Sequence, residues 1–372
     1  MSALSFRVFF GGSPATVDDL RTIEEIKVEQ SEDAAWEAHL VMSLCLDASG
    51  HWARQDDLQL APRTQLRVEL KIGTDDFKPL IEGPIVAIDN AMDARAGRST
   101  TTIVVHDDSA WLNMASDAVP TEGQTDTAIA SDLFTSGSSG HVTQTDVQTN
   151  PARTPASLGD QFAQLGTPMQ KLRHLAARNG FRAFVLPGDT AGQSIGCFKG
   201  DPTDTPTLPP LVLLGPSRNL FTVTATEDPE VSRATTLHTL SLGDQQVQSY
   251  TTSASDETLL GAQTAAPAPS TRTLSPTAND TEDPAARAAA EIRRLNFPVK
   301  YTGQLIACAY SKILTPHQKI ALQAGAASIS TVILLTKVTH RITPSVYEVN
   351  FEGRGNSLAQ LQAAAGLPTS IV

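Results

Sequence analysis

The sequence predicts a mainly β protein with an α+β insertion, and three observations carry that prediction. Residues 4–106 contain six or so segments in which apolar and polar residues alternate. The stretch Asn296–Gly353 contains four more extended segments, punctuated by turn residues. Aromatic residues make up only 5% and charged residues 18% of the 372 residues, while glycine (24) and proline (23) are plentiful. That balance favours short strands and turns over a large helical bundle.

In chain order, LSFRVFF at 4–10 reads as an opening strand that ends at Gly11-Gly12. Ile23–Gln30 and Trp36–Leu46 follow, each with period-two character. Gln65–Ile72 sets Leu66, Val68, Leu70 and Ile72 on one face and Arg67, Glu69 and Lys71 on the other. Leu80–Asp89, interrupted by Gly83-Pro84, can pair with Ser99–His106 across the polar turn Asp93–Gly97. Six strands in about a hundred residues suffice for a small antiparallel barrel or sandwich.

Helical signals then appear. Asp107–Met114 reads as a short helix, and Asp126–Leu133 as another, capped by Thr125 or Asp126 and ended by the Gly/Ser run 136–140. Ser157–Phe162 is a weaker segment. Pro168–Asn179 is amphipathic: Pro168 suits a first turn, Met169, Leu172, Leu175 and Ala176 share a face, and Gly180 stops it. Phe181–Leu186 reads as a strand with Ser194–Phe198 as its hairpin partner, giving an α+β module that closes at the proline-rich Asp201–Pro210.

Asn219–Thr226, Ala234–Leu242 and Gln246–Thr252 open a second β region. Ser253–Thr281, rich in Ala, Thr, Ser and Pro, reads as an extended linker or arm. Asp283 can cap a helix that starts at Pro284 and runs to Leu295. Val299–Ala307, Lys319–Gln323, Ser330–His340 and Val346–Glu352 form an antiparallel meander, with Pro344 in its last turn. A short helix is expected near Ser357–Ala365. The expected division is a first β domain at 1–118, the α+β module at 119–210, and a second β domain at 211–252 and 282–355. The linker is 253–281 and the tail 356–372. Two β domains of similar length hint at a duplication, although no residue-level repeat is visible.

Signs of chemistry are few. The net charge of −12 argues against stable nucleic-acid binding or an anionic membrane as primary ligand. No run approaches the ~20 apolar residues of a membrane span, and the N-terminus lacks the marks of a signal peptide, so synthesis in the cytoplasm without membrane insertion is expected. No zinc pattern, nucleophile elbow or phosphate loop occurs, and no catalytic residue, cofactor or metal is expected; Gly215-Pro216-Ser217 and Ser138 do not match the elbow. The acid pairs Asp56-Asp57, Asp75-Asp76 and Asp107-Asp108 read as solvated turn acids rather than a glycosidase pair. His340, at the end of an apolar strand, reads as a structural histidine bonded to a neighbouring strand or subunit. Trp36, Trp52 and Trp111 read as core or interface anchors. Cys45, Cys197 and Cys308 are odd in number and far apart, and Cys45 and Cys308 lie in apolar strand patterns, so buried free thiols are expected.

The order YTGQL … ILTPHQKIAL … ILLTKVTHRITPSVYEVNFEGRG resembles the C-terminal signature of the phage late control protein D family. These are hub proteins of contractile phage tails and injection systems, akin to the hub half of type VI secretion spike proteins. The residues that carry the resemblance are Leu314 and Pro316 of a turn, Val338, Thr339 and His340 ending a strand, and Tyr347 and Phe351 on the last strand. His317 stands where the pattern has glycine. The resemblance covers about residues 1–355, most strongly from Asn296 onward.

It implies two small antiparallel β-barrels of tail-tube type and a structural baseplate hub rather than an enzyme. Three copies would form a pseudo-sixfold ring that adapts a hexameric inner tube to a trimeric spike. Exposed strand edges would serve as templates for neighbouring copies. The implied partners are a homotrimer, an inner tube or tube-initiator protein, other baseplate proteins and a spike protein, expected as a separate chain because this one stops at Val372. Assembly into the baseplate of a tail or injection particle follows. Three copies at −12 each would carry −36, so an acidic or neutral lumen is expected. The competing classes are a tail-associated cell-wall hydrolase and a sugar-binding receptor module.

Overall fold

The computed structural model describes residues 4–45, 60–95, 97–114, 124–149, 166–227, 235–240, 247–251, 263–264, 270–274, 297, 299–325, 331–355 and 357–358. The protein is mainly β, built on a curled sheet of 13 strands with a few helices. The N-terminal part supplies β1 (Leu4–Phe10), β2 (Ser13–Pro14), α1 (Val17–Thr22), β3 (Ile23–Ser31), β4 (Glu37–Ser43), β5 (Gln65–Ile72), β6 (Lys78–Ala91) and β7 (Thr100–His106). A 3-10 helix at Asp108–Asn113 leads to α2 (Asp126–Gly137), β8 (Val142–Val147), α3 (Pro168–Asn179), β9 (Arg182–Leu186) and β10 (Ser194–Lys199). Then come β11 (Leu211–Val212), β12 (Leu220–Glu227), β13 (Thr235–Leu240), β14 (Val247–Thr251), β15 (Gln263–Thr264) and β16 (Ser270–Leu274). The C-terminal strands are β17 (Val299–Leu305), β18 (Lys319–Gln323), β19 (Thr331–Ile342), β20 (Tyr347–Gly355) and β21 (Ser357–Leu358).

The large sheet contains the same strand arrangement twice. Its N-terminal half runs β1-β5-β6-β7-β4-β3 and its C-terminal half runs β11-β18-β19-β20-β17-β12. In each half the six strands, taken in chain order, occupy the same six places. The register repeats as well. A bulge falls between Ile85 and Ala87 on β6 and between Leu335 and Lys337 on β19. Another falls between Ile23 and Glu25 on β3 and between Leu220 and Thr222 on β12. The outermost pair departs from the repeat, since β1 meets β5 antiparallel while β11 meets β18 parallel. The halves join where β3 pairs antiparallel with β19, from Ser31↔Lys337 to Ile26↔Ile342.

Each half has its own apolar core, as period-two burial requires. Trp36, Leu40, Leu66, Val68 and Ile103 lie in one, and Tyr301, Leu322, Ile333, Val338 and Phe351 in the other. A third core under the three-stranded sheet β8-β10-β9 is formed by Leu133, Phe134, Leu172, Leu175 and Phe198. The hairpin β9–β10 and α3 form as the sequence predicts. Thr167 and Gln170 make a capping box around Pro168, the helix buries Met169, Leu172, Leu175 and Ala176, and Gly180 ends it at φ +66. Thr125 caps α2, whose Asp126 is buried.

Several expectations are corrected. The Gly83-Pro84 interruption is where β6 continues unbroken and changes partner, from β5 up to Pro84 to β7 from Ile85. Glycine is required there because a Cβ on Gly83 would lie 1.9 Å from the His106 carbonyl oxygen. β13 and β14 form a separate sheet with β16 instead of joining the large one. The 253–281 stretch contains the paired strands β15 and β16, so part of it is ordered backbone ladder. Ser357–Leu358, expected to begin a helix, is a strand paired with β15. The short helix expected over Asp107–Met114 forms as a 3-10 helix. Cys45 and Cys308 are exposed, because each lies just past the end of its strand; only Cys197 is buried. Trp36 is a core residue, while Trp111 stacks on His141. The segment Ser157–Phe162, the helix 284–295, the acids Asp56-Asp57 and Trp52 lie outside the described residues.

Candidate functional site

Two kinds of surface stand out: a polar sheet face that crosses the junction of the halves, and buried polar joints beneath it. On the sheet face, alternation brings Glu25, Lys27 and Glu29 of β3 beside Lys337, Thr339 and Arg341 of β19. Lys337 Nζ lies 2.9 Å from Glu29, and Arg341 Nη2 lies 2.7 Å from Glu25. Arg341 also reaches Glu348 at 3.2 Å, and Lys300 pairs with Glu352 at 2.6 Å. Hydrogen bonds from Lys27 and then Lys337 hold the Glu29 carboxyl down at about 2. The same face continues through Glu37, which receives both His39 and His106, and through Asp89 on β6. The face thus sets the carboxylates Glu25, Glu29, Glu37, Asp89, Glu348 and Glu352 against the cations Lys27, Lys300, Lys337 and Arg341. Beyond β17 it ends in Thr222 and Thr224 of β12.

The signature residues lie beneath this face. Val338 and Phe351 are buried opposite each other, and Thr339 takes the polar side. His340 is fully buried; its Nε2–H donates to the Leu314 carbonyl at 3.0 Å, and Tyr347 donates its hydroxyl to Nδ1 at 2.9 Å. A carbonyl can only accept, which fixes this tautomer. Burial pushes the imidazole down to about 4, so it is neutral. The histidine fastens the Leu314–Pro316 turn to β19. His317 occupies the glycine place of the pattern and takes the backbone shape of a glycine, φ +62. Its ring stacks on Phe184 of β9 at 3.5 Å between centroids.

No local pattern announces the joints. Arg67, on the strand face opposite the apolar one, is buried: it pairs with Glu82 and Glu69 and donates to the carbonyls of Gly188 and Asp189 in the β9–β10 turn. Glu32 receives Arg182 at 3.1 Å and Arg354 at 3.2 Å, and both arginines also reach Asp201. This cluster ties the end of β3 to β9 and β20. Burial pushes Glu32 up to about 7, against the opposing pull of Arg354 and Arg182.

Asp107 and Asp108 are also joints, not solvated turn acids. Asp107 accepts from the Trp36 backbone and Asp108 from Gln65, Trp111 and the Ser194 hydroxyl. Desolvation lifts Asp108 to about 7. Ser194, itself buried, donates directly to the Asp108 carboxylate, and the pair fixes the module to the first half. In the cleft of about 700 Å³ where the first half, the module and the segment before β18 meet, Asp75 pairs with Lys312 and Asp189 with Lys78. Asp75 and Asp76 are exposed, as expected of turn acids. Among the described residues no group of three metal-ligating side chains converges. No described helix is long and apolar enough to cross a membrane.

The curled sheet with its inserted module is the fold of phage tail proteins and of a type VI secretion component. The chain is similar to the tail protein of Neisseria meningitidis MC58, with a TM-score of 0.65 at 14% identity, covering 96% of this chain and 98% of that one. It is also similar to the 43 kDa tail protein of prophage MuSo2 from Shewanella oneidensis, with a TM-score of 0.62 at 16% identity over 94% and 98% of the two chains. A third likeness is to the E. coli c3393 protein, described as a component of the type VI secretion system with structural similarity to the T4 tail proteins gp27 and gp5. Its TM-score is 0.55 at 11% identity, over 95% of this chain and 77% of that one. No protein-family model and no curated protein sequence matches the chain.

Proposed function

We propose that this chain is the structural baseplate hub of a contractile tail or injection machine. Three copies form a ring of six similar half-sheets, which meets a hexameric inner tube on one side and a trimeric spike on the other. The observation that carries this reading is the repeated half. One chain presents the same strand order twice, with two matching bulges in each half, joined edge to edge by β3 and β19. Duplication of this kind gives threefold symmetry a sixfold face. The fold that the chain shares with tail proteins over nearly its whole length supports the same assignment.

In this reading residues 1–118 and residues 211–252 with 282–355 are the two ring-forming domains, and 119–210 is the module clamped outside them. The mixed-charge face lines the passage. Its balance of six carboxylates to four cations suits a lumen that neither grips anionic cargo nor repels it strongly. The ring's other partners are the tube or tube-initiator protein and neighbouring baseplate proteins.

Solution mass tests the proposal, measured on the chain alone and co-expressed with a trimeric spike protein. A mass of three chains in either condition is expected, and a monomer in both would overturn the ring. Turnover of peptidoglycan by the purified chain would overturn the non-enzymatic role.

A further inference from the structure

The duplication specifies the joint between copies. We propose that β12 of one copy pairs edge to edge with the C-terminal half of β6 in the next, in the register that β3 and β19 adopt within the chain. The inference rests on the ring reading above and adds the contact that closes it.

The matching bulges supply the alignment. On β6 the bulge at Val86 corresponds to the bulge at Thr336 on β19, so Ile88–Met92 correspond to Val338–Ile342. On β12 the bulge at Phe221 corresponds to that at Glu24 on β3, so Val223–Glu227 correspond to Ile26–Gln30. Within the chain, Ile342 faces Ile26, Arg341 faces Lys27, His340 faces Val28 and Thr339 faces Glu29. Transferred to neighbouring copies, the register sets Met92 opposite Val223, Ala91 opposite Thr224, Asn90 opposite Ala225 and Asp89 opposite Thr226.

Both edges are free among the described residues. β12 pairs only with β17, and β6 leaves β5 at Pro84, so beyond that point it pairs only with β7. Unpaired edges of this kind are templates for another strand. The large apolar residues at these edges are exposed: Phe221 59%, Met92 49% and Val86 39%.

The side chains also distinguish the right mate from the wrong one. The internal seam matches Glu25 and Glu29 to Arg341 and Lys337. The proposed seam sets Thr224 and Thr226 against Ala91 and Asp89, with a hydroxyl available to the carboxylate. Exchanging mates would put Glu29 opposite Asp89, a like-charge pair directly across a ladder, which destabilises. The penalty falls on β3 meeting β6, so the exchange is disfavoured and β6 is left to β12. A partner strand that always belongs to the next copy makes a head-to-tail contact, and such contacts generate rings when the rotation closes.

Cysteine pairs test the register. The full chain carries Cys45→Ser and Cys308→Ser, with Ala91→Cys plus Thr224→Cys in one variant and Asn90→Cys plus Ala225→Cys in a second. Opposite residues in an antiparallel ladder alternate between Cα separations of about 5.5 and about 4.5 Å, so the two variants sample both kinds of pair. A control variant combines Ala91→Cys with Thr222→Cys, two positions out of register at roughly 7–8 Å, beyond ordinary disulfide reach. Solution mass under reducing conditions is measured for each.

At least one in-register pair is expected to oxidise to covalent species of two and three chains, while the control does not. A reduced ring of three chains with no in-register cross-link would overturn the strand pairing and leave the ring standing. Equal cross-linking of the control would also overturn the register. Monomers throughout, in the unsubstituted chain as well, would overturn the pairing together with the ring.

Discussion

At the scale of single residues, the informative position is the one where the sequence departs from the pattern it resembles. His317 replaces glycine, yet its backbone keeps the left-handed shape a glycine would take. For a residue with a Cβ that shape costs roughly 1–2 kcal/mol. The offset is the face-to-face contact with Phe184, and aromatic pairs are worth about 0.5–1.5 kcal/mol beyond burial. The two effects nearly cancel, and that cancellation makes a prediction. His317→Ala keeps the strain and loses the stack, so it should destabilise by about 0.5–1.5 kcal/mol. His317→Gly loses the stack but sheds the strain, and should recover about 1 kcal/mol of that loss. Denaturant midpoints of the two variants check the order; an alanine variant as stable as the glycine one would mean that the turn carries no strain.

At the scale of elements, the seam between β3 and β19 is held by backbone ladder and by cross-strand charge. Its ion pairs are partly exposed, so each is worth little alone, about 0.2–1 kcal/mol. Lys337→Glu would place a carboxylate beside both Glu29 and Glu352, and a loss of about 1 kcal/mol is expected. Adding Glu29→Lys should restore only part of it, because that pair is then reversed while the new lysine lies beside Lys27 and the new glutamate beside Glu352; a double-mutant cycle of denaturation midpoints measures the recovery. Most strands of this seam were legible in the sequence, since β3, β5, β7, β19 and β20 alternate visibly. Their pairing was not. Arg341 and Glu25 are 316 positions apart, and no local pattern announces such a contact. The repeat was hidden for a related reason. Equivalent positions hold Lys27 and Thr224, His39 and Thr302, or Leu40 and Gly303, so register persists where side-chain identity does not. The joints escaped because Arg67 and Asp108 look like surface residues until the module covers them. His340 was legible as structural, but its partner Leu314 contributes a backbone carbonyl, which every residue has.

At the scale of the whole molecule, the buried titratable groups oppose one another, and their balance sets the response to acid. His340 and His317 are held neutral by burial, at about 4 and about 3 against an ordinary 6.5. The unfolded chain therefore binds protons at these sites that the folded chain refuses, and stability falls as pH drops below 6.5. Glu32 and Asp108 act the other way. Burial lifts both to about 7 from 4.5 and 3.8, so the folded chain takes up protons first and gains stability as pH falls through 7. Between roughly 6.5 and 4.5 these two sites of each kind titrate with opposite slopes; Asp107, also raised by burial, adds to the gain and His141, lowered by burial, to the loss. Below about 4.5 the Glu32 contribution is complete, Glu29 begins to lose its lysine partners, and the histidines still cost stability. The expected profile is a plateau from about pH 6.5 to 4.5 with a steep fall below it. His340→Gln removes one opposing slope. A shift of one pKa unit is worth about 1.4 kcal/mol, so the variant, less stable at pH 7 for want of a matched partner to Tyr347, should gain about 2–3 kcal/mol relative to the parent between pH 6.5 and 4. Thermal unfolding followed across that range gives the two curves; parallel curves would show that His340 is protonated alike in the folded and unfolded chains, and its buried, neutral bridge between Leu314 and Tyr347 would have to be abandoned.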